Sequence, residues 1–427
     1  MRARLSTTFR SLRIRNYRLF ATGQLVKLIG VWVMWTAQDW LVLELSGDSA
    51  TALGVVTALQ FIPVLLLTLY GGKLADRYDK RLLLLAANGA YAILAMLLAG
   101  LVATGAVRLW HVFAFAFAIG VANAIETPVR QSFVSELVGT ALLPNALSLS
   151  AATFNSARVV GPALAGVAIA TVGTGPVFLA SAALAVAPLA SYGRMRAADL
   201  HREPLLPMGE RDQARIADGL RYVWRRVDLL LPIALMAVIG MLGFNFPVTL
   251  AALAKTGFGT GAAAFGVFST ALAVGALGGA LAGSGRRARP SAYVVLGAAV
   301  AFGALEVVVG FAPSFWVAAG LLVPTGFFMV LFAQAANQRV QLGTEAAYRG
   351  RVMALYVLVF LGTTPIGAPL VGWLAERYGA GTAIWLGGLA SLLTALLALA
   401  FKLRRTGERV RLRLLPSPRF YVVPPSV

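Results

Sequence analysis

Long uncharged runs of apolar residues alternate along this chain with short polar intervals. Eight runs contain no charged residue: 49–72, 82–107, 159–193, 229–254, 256–285, 307–338, 352–375 and 378–401. An apolar stretch of about 18 residues or more is long enough to cross a bilayer as a helix. The run 159–193 is too long for one span and contains a turn signal from Gly173 to Pro176, so it predicts two helices.

Four apolar runs carry isolated charges: 19–45, 109–129, 291–310 and 146–171, the last of which extends the first half of 159–193 toward the N-terminus. With the three new runs, the pattern predicts twelve transmembrane helices. The predicted spans are 19–45, 51–71, 82–103, 109–129, 146–171, 175–192, 230–254, 262–283, 291–310, 315–336, 352–376 and 382–401. The longest polar interval, 193–228, separates six of these spans from the other six. The predicted fold class is therefore an all-α membrane protein.

Composition agrees with this class and excludes several kinds of site. Of the 427 residues, 59% are hydrophobic and 13% are charged, whereas soluble domains average about 25% charged residues. There is no cysteine, and His111 and His201 lie far apart, so we expect neither a disulfide nor a metal site. Because the chain has no nucleophile–base pair, phosphate-binding loop or catalytic pair of carboxylates, we expect neither an enzyme nor a bound cofactor.

The net charge of +20 comes from basic residues that cluster on one side of the predicted membrane. Of the 37 lysines and arginines, 32 fall in the N-terminal segment, the C-terminal tail or the loops after even-numbered spans. Only Arg108, Lys255 and Arg377 fall in the other loops. Cytoplasmic loops carry such an excess, which predicts a multi-pass protein of the inner or plasma membrane with both termini in the cytoplasm. Without a folded basic domain, we expect no nucleic-acid partner.

A direct repeat relates the two sets of six spans. Residues 160–175, VGPALAGVAIATVGTG, align without gaps with residues 366–381, IGAPLVGWLAERYGAG. Two six-helix bundles in the same orientation form the parallel pseudo-repeat found among secondary transporters. We expect an N-terminal bundle (1–192), a cytoplasmic linker with an amphipathic helix (193–228), a C-terminal bundle (229–401) and a disordered basic tail (402–427).

The charged stretch between spans 2 and 3 resembles the signature loop of the major facilitator superfamily. It reads GGKLADRYDKR at 71–81, with Asp79 where the family usually has glycine and Lys80 where arginine is usual. The resemblance implies a gating latch that holds the two halves in the outward-open state. Its expected members are Gly72, Asp76, Arg77, Lys80, Arg81 and Glu126. We expect Asp76, Lys80 and Glu126 to form its charge network, and Gly72 to let span 2 approach a neighbouring helix. The alternative is that the basic residues only fix the topology.

A second resemblance concerns spans 4 and 5. Residues GVANAIETPVRQSFVSELV and LPNALSLSAATFNSARVVGPALAG are similar to the enterobactin-exporter and macrolide-efflux branch, also called transmembrane secretion effectors. The resemblance covers nearly the whole chain and implies a twelve-helix drug–proton antiporter with a cavity between its halves. Ala157 and Ala165 stand where the antiporter motif of span 5 commonly has glycines.

Polar residues at helical spacing inside spans 1 and 5 are candidates for the wall of that cavity. They are Gln24, Lys27, Met34, Gln38, Asn155 and Arg158. Arg158 either holds a carboxylate until substrate or a proton binds, or forms a permanent structural ion pair. Lys27 either lines the cavity or extends its ammonium group toward the interface.

Three acids in the predicted spans are candidates for proton coupling: Asp39, Glu306 and Glu126. Asp39 is the first choice, because a carboxyl group in a low-dielectric site resists ionisation and its protonation can be coupled to conformation. The alternative places Asp39 near the membrane interface, in contact with water. Glu306 is less favoured because span 9 is expected to face lipid, and Glu126 fits the latch better.

Small residues and prolines in spans 5 and 11 are predicted to act as hinges or packing sites. They are Gly161, Pro162, Gly166, Gly367 and Pro369. Small residues allow close helix contact, and proline removes a helical hydrogen bond.

The sequence therefore predicts a monomeric, proton-coupled exporter of small amphipathic molecules, either drugs or siderophore-like metabolites. Its partners would be the substrate, protons and the lipid bilayer. Two alternatives remain open: an uncoupled uniporter or importer of a small metabolite, and a non-transporting membrane scaffold that docks through its tail.

Overall fold

The computed structural model describes residues 10–201, 216–284, 288–345, 348–406, 409–413 and 419–423. Within them, twelve helices are long and apolar enough to cross a membrane. They are α1 (Arg15–Leu45), α2 (Ala50–Arg77), α3 (Lys80–Ala103), α4 (Leu109–Gly139), α5 (Ala141–Val172), α6 (Thr174–Gly193), α7 (Val227–Gly257), α8 (Ala262–Gly283), α9 (Ala292–Gly310), α10 (Phe315–Gly343), α11 (Arg349–Tyr378) and α12 (Ala380–Arg405). Each predicted span has its helix, and the prediction of a twelve-helix membrane protein is confirmed.

Several helices extend beyond the apolar runs that predicted them. Helix α4 continues to Gly139 rather than ending near residue 129, and α10 continues to Gly343. An apolar run marks only the part of a helix that lies in hydrocarbon, whereas polar and basic side chains carry the helix on into the interface. The extension of α4 contains Arg130, which is half-buried, and Glu136, which is buried.

Glycines in unusual backbone conformations separate α4, α5 and α6. Gly139 has a φ of +66° and divides α4 from α5. Gly173 has a φ of +80° and divides α5 from α6, at the turn that the sequence predicts. Residues with side chains rarely adopt positive φ, so glycine is required at both positions.

Helices α7 and α11 are each interrupted near the middle. In α7 a regular segment ends at Leu242 and the next begins at Phe246. In α11 the interruption falls at Thr363. In both, a proline follows closely, and its missing N–H removes one hydrogen bond of the continuous helix.

The two sets of six helices form two halves, α1–α6 and α7–α12. Because the number of spans is even, α1 begins and α12 ends on the same side, which we call the terminal face; the other side is the opposite face. Across the interface, α5 packs on α8 and α2 packs on α11. A Cβ at Gly166 would lie 2.9 Å from the Gly266 Cα, and Gly372 packs directly on Ala50. These close crossings bring the halves together at the opposite face.

The linker and the tail contain the remaining described elements. A helix at Ile216–Trp224 lies within the predicted linker 193–228, of which residues 202–215 are outside the described part of the chain. Its Tyr222 ring stacks on Tyr348 at 4.3 Å.

The tail holds an antiparallel pair of strands, β1 (Arg409–Arg413) and β2 (Arg419–Val423). The expectation of a disordered tail is wrong for these strands. In β1, RVRLR, arginines alternate with apolar residues as in a β-strand, and β2, RFYVV, is rich in aromatic and β-branched residues that favour strands.

Candidate functional site: a cavity between the two halves

A cavity of about 250 Å³ lies at the interface of the two halves. Residues of α1, α2 and α5 form its wall in the N-terminal half, and residues of α7, α8 and α10 form its wall in the C-terminal half. A substrate in this space would contact both halves at once, which is what alternating movement of the halves around a fixed site requires.

The two walls of the cavity differ in polarity. The N-terminal half contributes polar and ionisable side chains, namely Thr36, Asp39, Thr57, Gln60 and Arg158, together with Trp32 and Trp35. The C-terminal half contributes mostly phenylalanines and aliphatic residues, with Ser269 as its polar member. A ligand with one polar and one apolar side would match both walls.

Asp39 and Arg158 bring an acidic and a basic side chain into this cavity without forming an ion pair. Both side chains line it, and within the described residues neither has an opposite charge within 4.0 Å. Arg158 donates from Nη2 to the Oδ1 of Asn155 at 3.2 Å, while its Nε is buried and has no acceptor in the described part of the chain. A charge held in a low-dielectric site without a partner is costly, so such groups favour a functional role over a purely structural one.

Two tryptophans beside Asp39 add further unused donors. The Nε1 atoms of Trp32 and Trp35 are buried without an acceptor among the described residues. Their rings contact each other edge to face at 5.2 Å, and Trp32 contacts Phe154 of α5 at 5.8 Å. Gly161 allows this approach, because a Cβ there would overlap the Trp32 side chain. The polar wall therefore offers hydrogen-bond donors to a ligand that carries acceptor oxygens.

A second polar cluster lies inside the N-terminal half, away from the cavity. Lys27 binds Glu126 at 3.0 Å, Arg130 binds the same carboxylate at 3.2 Å, and Gln24 donates to the Tyr192 hydroxyl at 2.6 Å. Lys27 is only 5% exposed. The prediction that Lys27 and Gln24 line the cavity is wrong, because α1 turns this stripe toward α4 and α6.

Met34 and Gln38, the other members of the predicted polar stripe of α1, are also buried inside the N-terminal half. Met34 is 1% exposed and accepts a weak hydrogen bond from the Tyr91 hydroxyl at 3.6 Å. Gln38 is fully buried. Both therefore belong to the interior of the N-terminal half and not to the cavity wall, which the Asp39 face of the helix supplies. Asn155 is not among the residues that line this cavity, but its Oδ1 accepts a hydrogen bond from Arg158, which does line it.

Comparison with known proteins identifies the chain. The family model described as transmembrane secretion effector matches residues 6–421. The chain belongs to this family. The staphyloferrin A transporter of Staphylococcus aureus is 29% identical over 166 residues, which are 39% of this chain and 42% of that protein. The family and this relative are transporters rather than enzymes, as the sequence predicts.

Solved structures share the fold of this secretion effector at low sequence identity. A nucleoside transporter, NupG, superposes with a TM-score of 0.72 at 11% identity, covering 90% of this chain and 99% of its own. A bacterial homolog of the human lysosomal transporter Spinster, in an inward-facing conformation, has a TM-score of 0.67 at 15% identity, covering 91% and 96%. A D-xylose–proton symporter has a TM-score of 0.67 at 14% identity, covering 90% and 97%. The fold is that of the major facilitator superfamily.

The signature loop of this secretion effector makes different contacts from those predicted. Lys80 binds Glu136 at 2.5 Å, while Glu126 is engaged by Lys27 and Arg130. The predicted network of Asp76, Lys80 and Glu126 is therefore wrong in this conformation. The sequence misses Glu136 because it lies beyond the apolar run that defined α4.

Other residues of the loop stabilise neighbouring helix ends. Asp79 caps α3 by accepting from the backbone N–H groups of Arg81 and Leu82 at 2.9 and 3.2 Å. Arg81 donates to the Tyr192 carbonyl at 2.8 Å, at the end of α6. Asp76 and Arg77 are exposed.

The close glycine contact of α2 is one residue away from the predicted position. A Cβ at Gly71 would lie 2.6 Å from the Ala124 carbonyl oxygen of α4, whereas the space at Gly72 is open. The prediction for Gly72 is therefore wrong, because helical phase turns Gly71, not Gly72, toward α4.

Polar contacts join the two halves of the secretion effector at the opposite face. Lys255 binds Asp48 at 2.6 Å and lies over the Trp40 ring at 5.2 Å. Glu376 accepts hydrogen bonds from the Ser49 hydroxyl at 2.6 Å and the Thr51 N–H at 2.9 Å. The sequence gives one signal for this cluster: Lys255 is one of three basic residues in otherwise sparsely charged loops.

The predicted hinge residues lie at close helix crossings. Gly166 faces Gly266 of α8, and Gly367 packs on the Met241 backbone of α7. The Pro369 backbone contacts Gly54 of α2, a Cβ at which would lie 2.7 Å from the Pro369 Cα. Pro162 lines the cavity beside Arg158.

Proposed function

We propose that this secretion effector exports small amphipathic molecules, drugs or siderophore-like metabolites, in exchange for protons. The cavity would open alternately to the two sides of the membrane as the halves move. The observation that carries the proposal is the carboxyl group of Asp39, which lines the cavity between the halves and has no counter-charge within 4.0 Å in the described residues.

Asp39 supplies a simple means of exchange. When ionised, its carboxylate accepts a hydrogen bond from a hydroxyl, amide or ammonium group of the substrate. When protonated, it loses its charge and much of that acceptor strength. Substrate and proton then compete for one group, and a transporter in which they compete moves them in opposite directions.

The asymmetry of the cavity supports an amphipathic substrate. The apolar wall, with Phe244, Phe246 and Phe265, suits a hydrophobic or aromatic surface. The polar wall offers Asp39 as acceptor and the N–H groups of Arg158 and the tryptophans as donors. The family description supports secretion, and the name of the staphyloferrin A transporter supports a siderophore-like cargo.

The charge distribution supports an orientation with the terminal face in the cytoplasm. The conformation described here, in which the halves meet at the opposite face, would then be closed to the outside of the cell. Because one chain supplies both walls of the cavity, a monomer in the inner or plasma membrane would be sufficient, with substrate, protons and lipid as its partners and no nucleic acid.

Proton release in proteoliposomes tests this function. The purified protein is reconstituted with a pH-sensitive dye in the lumen, and a panel of lipophilic drugs and catechol-type chelators is added. We expect a substrate-triggered proton flux that Asp39→Asn abolishes. The control Glu44→Gln changes an exposed acid of the same helix and is expected to keep the flux.

The two rival functions give different results in the same assay. Substrate movement without a proton signal would contradict antiport and leave an uncoupled uniporter. If no compound on the panel moves, and deletion of residues 406–427 removes a bound partner, the protein is a non-transporting scaffold that docks through its tail. A transporter keeps its flux after that deletion.

A further inference from the structure

Glu306 of α9 is a buried acid that the proposed exchange at Asp39 does not use. It is 3% exposed, and its side chain lies inside the C-terminal half between α7 and α12. A Cβ at Gly243 would lie 3.0 Å from its Oε2, and a Cβ at Gly387 would lie 3.4 Å from its Oε1. The expectation that this residue points to lipid is therefore wrong. Glycines on both sides make the room that the carboxyl group occupies.

The surroundings of this carboxyl group contain no described counter-charge. Helices α7, α10 and α12 pack on α9. Their charged residues lie toward the helix ends: Asp228, Lys255, Arg339, Lys402, Arg404 and Arg405. None of these, within the described part of the chain, is within 4.0 Å of Glu306, and its Oε2 has no hydrogen-bond partner there. A nearby polar group is the Ser391 hydroxyl, which donates to the Gly387 carbonyl at 2.8 Å.

The carboxyl group lies directly beside the interruption of α7. The residues between Leu242 and Phe246 leave the helical hydrogen-bond pattern, and the Ile239 carbonyl accepts from both Gly243 and Phe244, at 2.8 and 3.1 Å. Such interruptions of membrane helices occur where the backbone lines a cavity or takes part in movement. Here Gly243 faces Glu306 on one side.

The other side of the same interruption forms the wall of the transport cavity. Phe244 and Phe246 line the cavity, and both rings contact Phe302, one helical turn before Glu306, at 5.5 and 6.2 Å. A change in the space around Glu306 therefore acts on the residues that form the apolar wall.

We propose that Glu306 is a second proton-binding group, which sets the shape of the α7 interruption and so couples proton uptake in the C-terminal half to the cavity. Neutral Glu306 fits the buried space between Gly243 and Gly387. Loss of its proton leaves a negative charge in that space, which favours separation of α9 from the interruption and entry of water. This inference rests on the proposed function only for the use of this switch in transport; the pH response of the conformation does not depend on it.

The test is a conformational titration of the full chain without substrate. Because the protein has no cysteine, spin labels at Thr104→Cys and Ser314→Cys report the distance between the two halves at the opposite face. Both positions are exposed and lie in loops of different halves. The distance distribution is measured in lipid nanodiscs as the pH is varied.

We expect the wild-type distribution to change with pH, and Glu306→Gln to remove part of that change. Glu306→Asp keeps an ionisable group and is expected to restore a pH response, although at a different midpoint. The control Glu44→Gln is expected to behave as wild type. Size-exclusion profiles show that each variant is folded before it is compared.

Two outcomes separate this inference from the proposed function. If Glu306→Gln follows the wild-type pH curve, or if Glu306→Asp loses the response as Gln does, Glu306 is only a packing residue and the inference is wrong. If the Glu306 variants behave as expected but substrate drives no proton flux in proteoliposomes, the antiport function fails while the Glu306 switch stands.

Discussion

The ammonium group of Lys255 lies 2.6 Å from the carboxylate of Asp48, and this ion pair joins the C-terminal half to the N-terminal half at the opposite face. Asp48 reaches this position because it adopts a left-handed backbone conformation, with a φ of +69°, in the turn between α1 and α2. The pair lies beside the Glu376 hydrogen bonds to Ser49 and Thr51. Together they form a polar clasp that stabilises the conformation closed at this face.

Removing the Lys255 charge should weaken this closure. The pair is partly exposed, so Lys255→Gln is expected to shift the equilibrium toward the open state by about 0.2–1 kcal/mol. Distance measurements between spin labels at Thr104→Cys and Ser314→Cys report that shift. Lys73→Gln, which removes an exposed charge at the terminal face, is the matched control. An unchanged distribution in Lys255→Gln would contradict a clasp.

A larger side chain at Gly166 should prevent the same closure more strongly. A Cβ at this position would already lie 2.9 Å from the Gly266 Cα, so Gly166→Val must separate α5 from α8. Overpacking of this kind costs about 1–3 kcal/mol. We expect labelled Gly166→Val to populate the open state and to lose transport. Gly320→Val changes a helical glycine beside open space and should retain both the closed state and transport. Equal effects of the two substitutions would show that the crossing of α5 and α8 is not the cause of the opening.

Lys27→Met should destabilise the protein without a matching loss of substrate affinity. Lys27 forms a buried pair with Glu126, and removal of one partner of a buried pair costs about 3–5 kcal/mol. Arg130 stays on the same carboxylate, so we expect the lower end of that range. Thermal unfolding in detergent measures the stability, and quenching of tryptophan fluorescence by naphthalene-2,3-diol measures binding. A stable variant that no longer binds would place Lys27 in the cavity after all.

Arg158→Gln should lower substrate affinity without a matching loss of stability. Its guanidinium group lines the cavity and has a buried N–H without an acceptor in the described residues, so a ligand oxygen can bind there. A hydrogen bond to a charged group contributes about 1.5–3 kcal/mol, which corresponds to a loss of at least about tenfold in affinity. The same fluorescence titration measures it, with Arg377→Gln as an exposed control. Unchanged affinity with lowered stability would make Arg158 a structural residue.

The helices and the two-half architecture are predictable from the sequence because apolar length and the repeat determine them. Helical spacing also finds both polar faces of α1. It cannot tell which face meets the cavity: Asp39 lies there, whereas Lys27 faces the interior of the N-terminal half. That choice depends on how α1 rotates against α4 and α5, which contacts far apart in sequence decide.

The pairing of charged residues is equally beyond the local sequence. Lys80 binds Glu136 rather than Glu126, since α4 extends further than its apolar run. Glu306 faces inward because Gly243, Gly387 and Gly388 make room for it on two other helices. Only the packed structure brings these residues together.

The central claim, that substrate and proton compete for Asp39, is tested most directly by the pH dependence of substrate binding. Tryptophan quenching by naphthalene-2,3-diol is titrated in nanodiscs as the pH is lowered from neutral to mildly acidic, with wild type and Asp39→Asn in parallel. Since only ionised Asp39 is a strong acceptor, wild-type affinity should fall as the pH falls, and the variant should bind weakly with a smaller pH dependence. Wild-type affinity that is constant or rises on acidification would contradict proton–substrate exchange at Asp39.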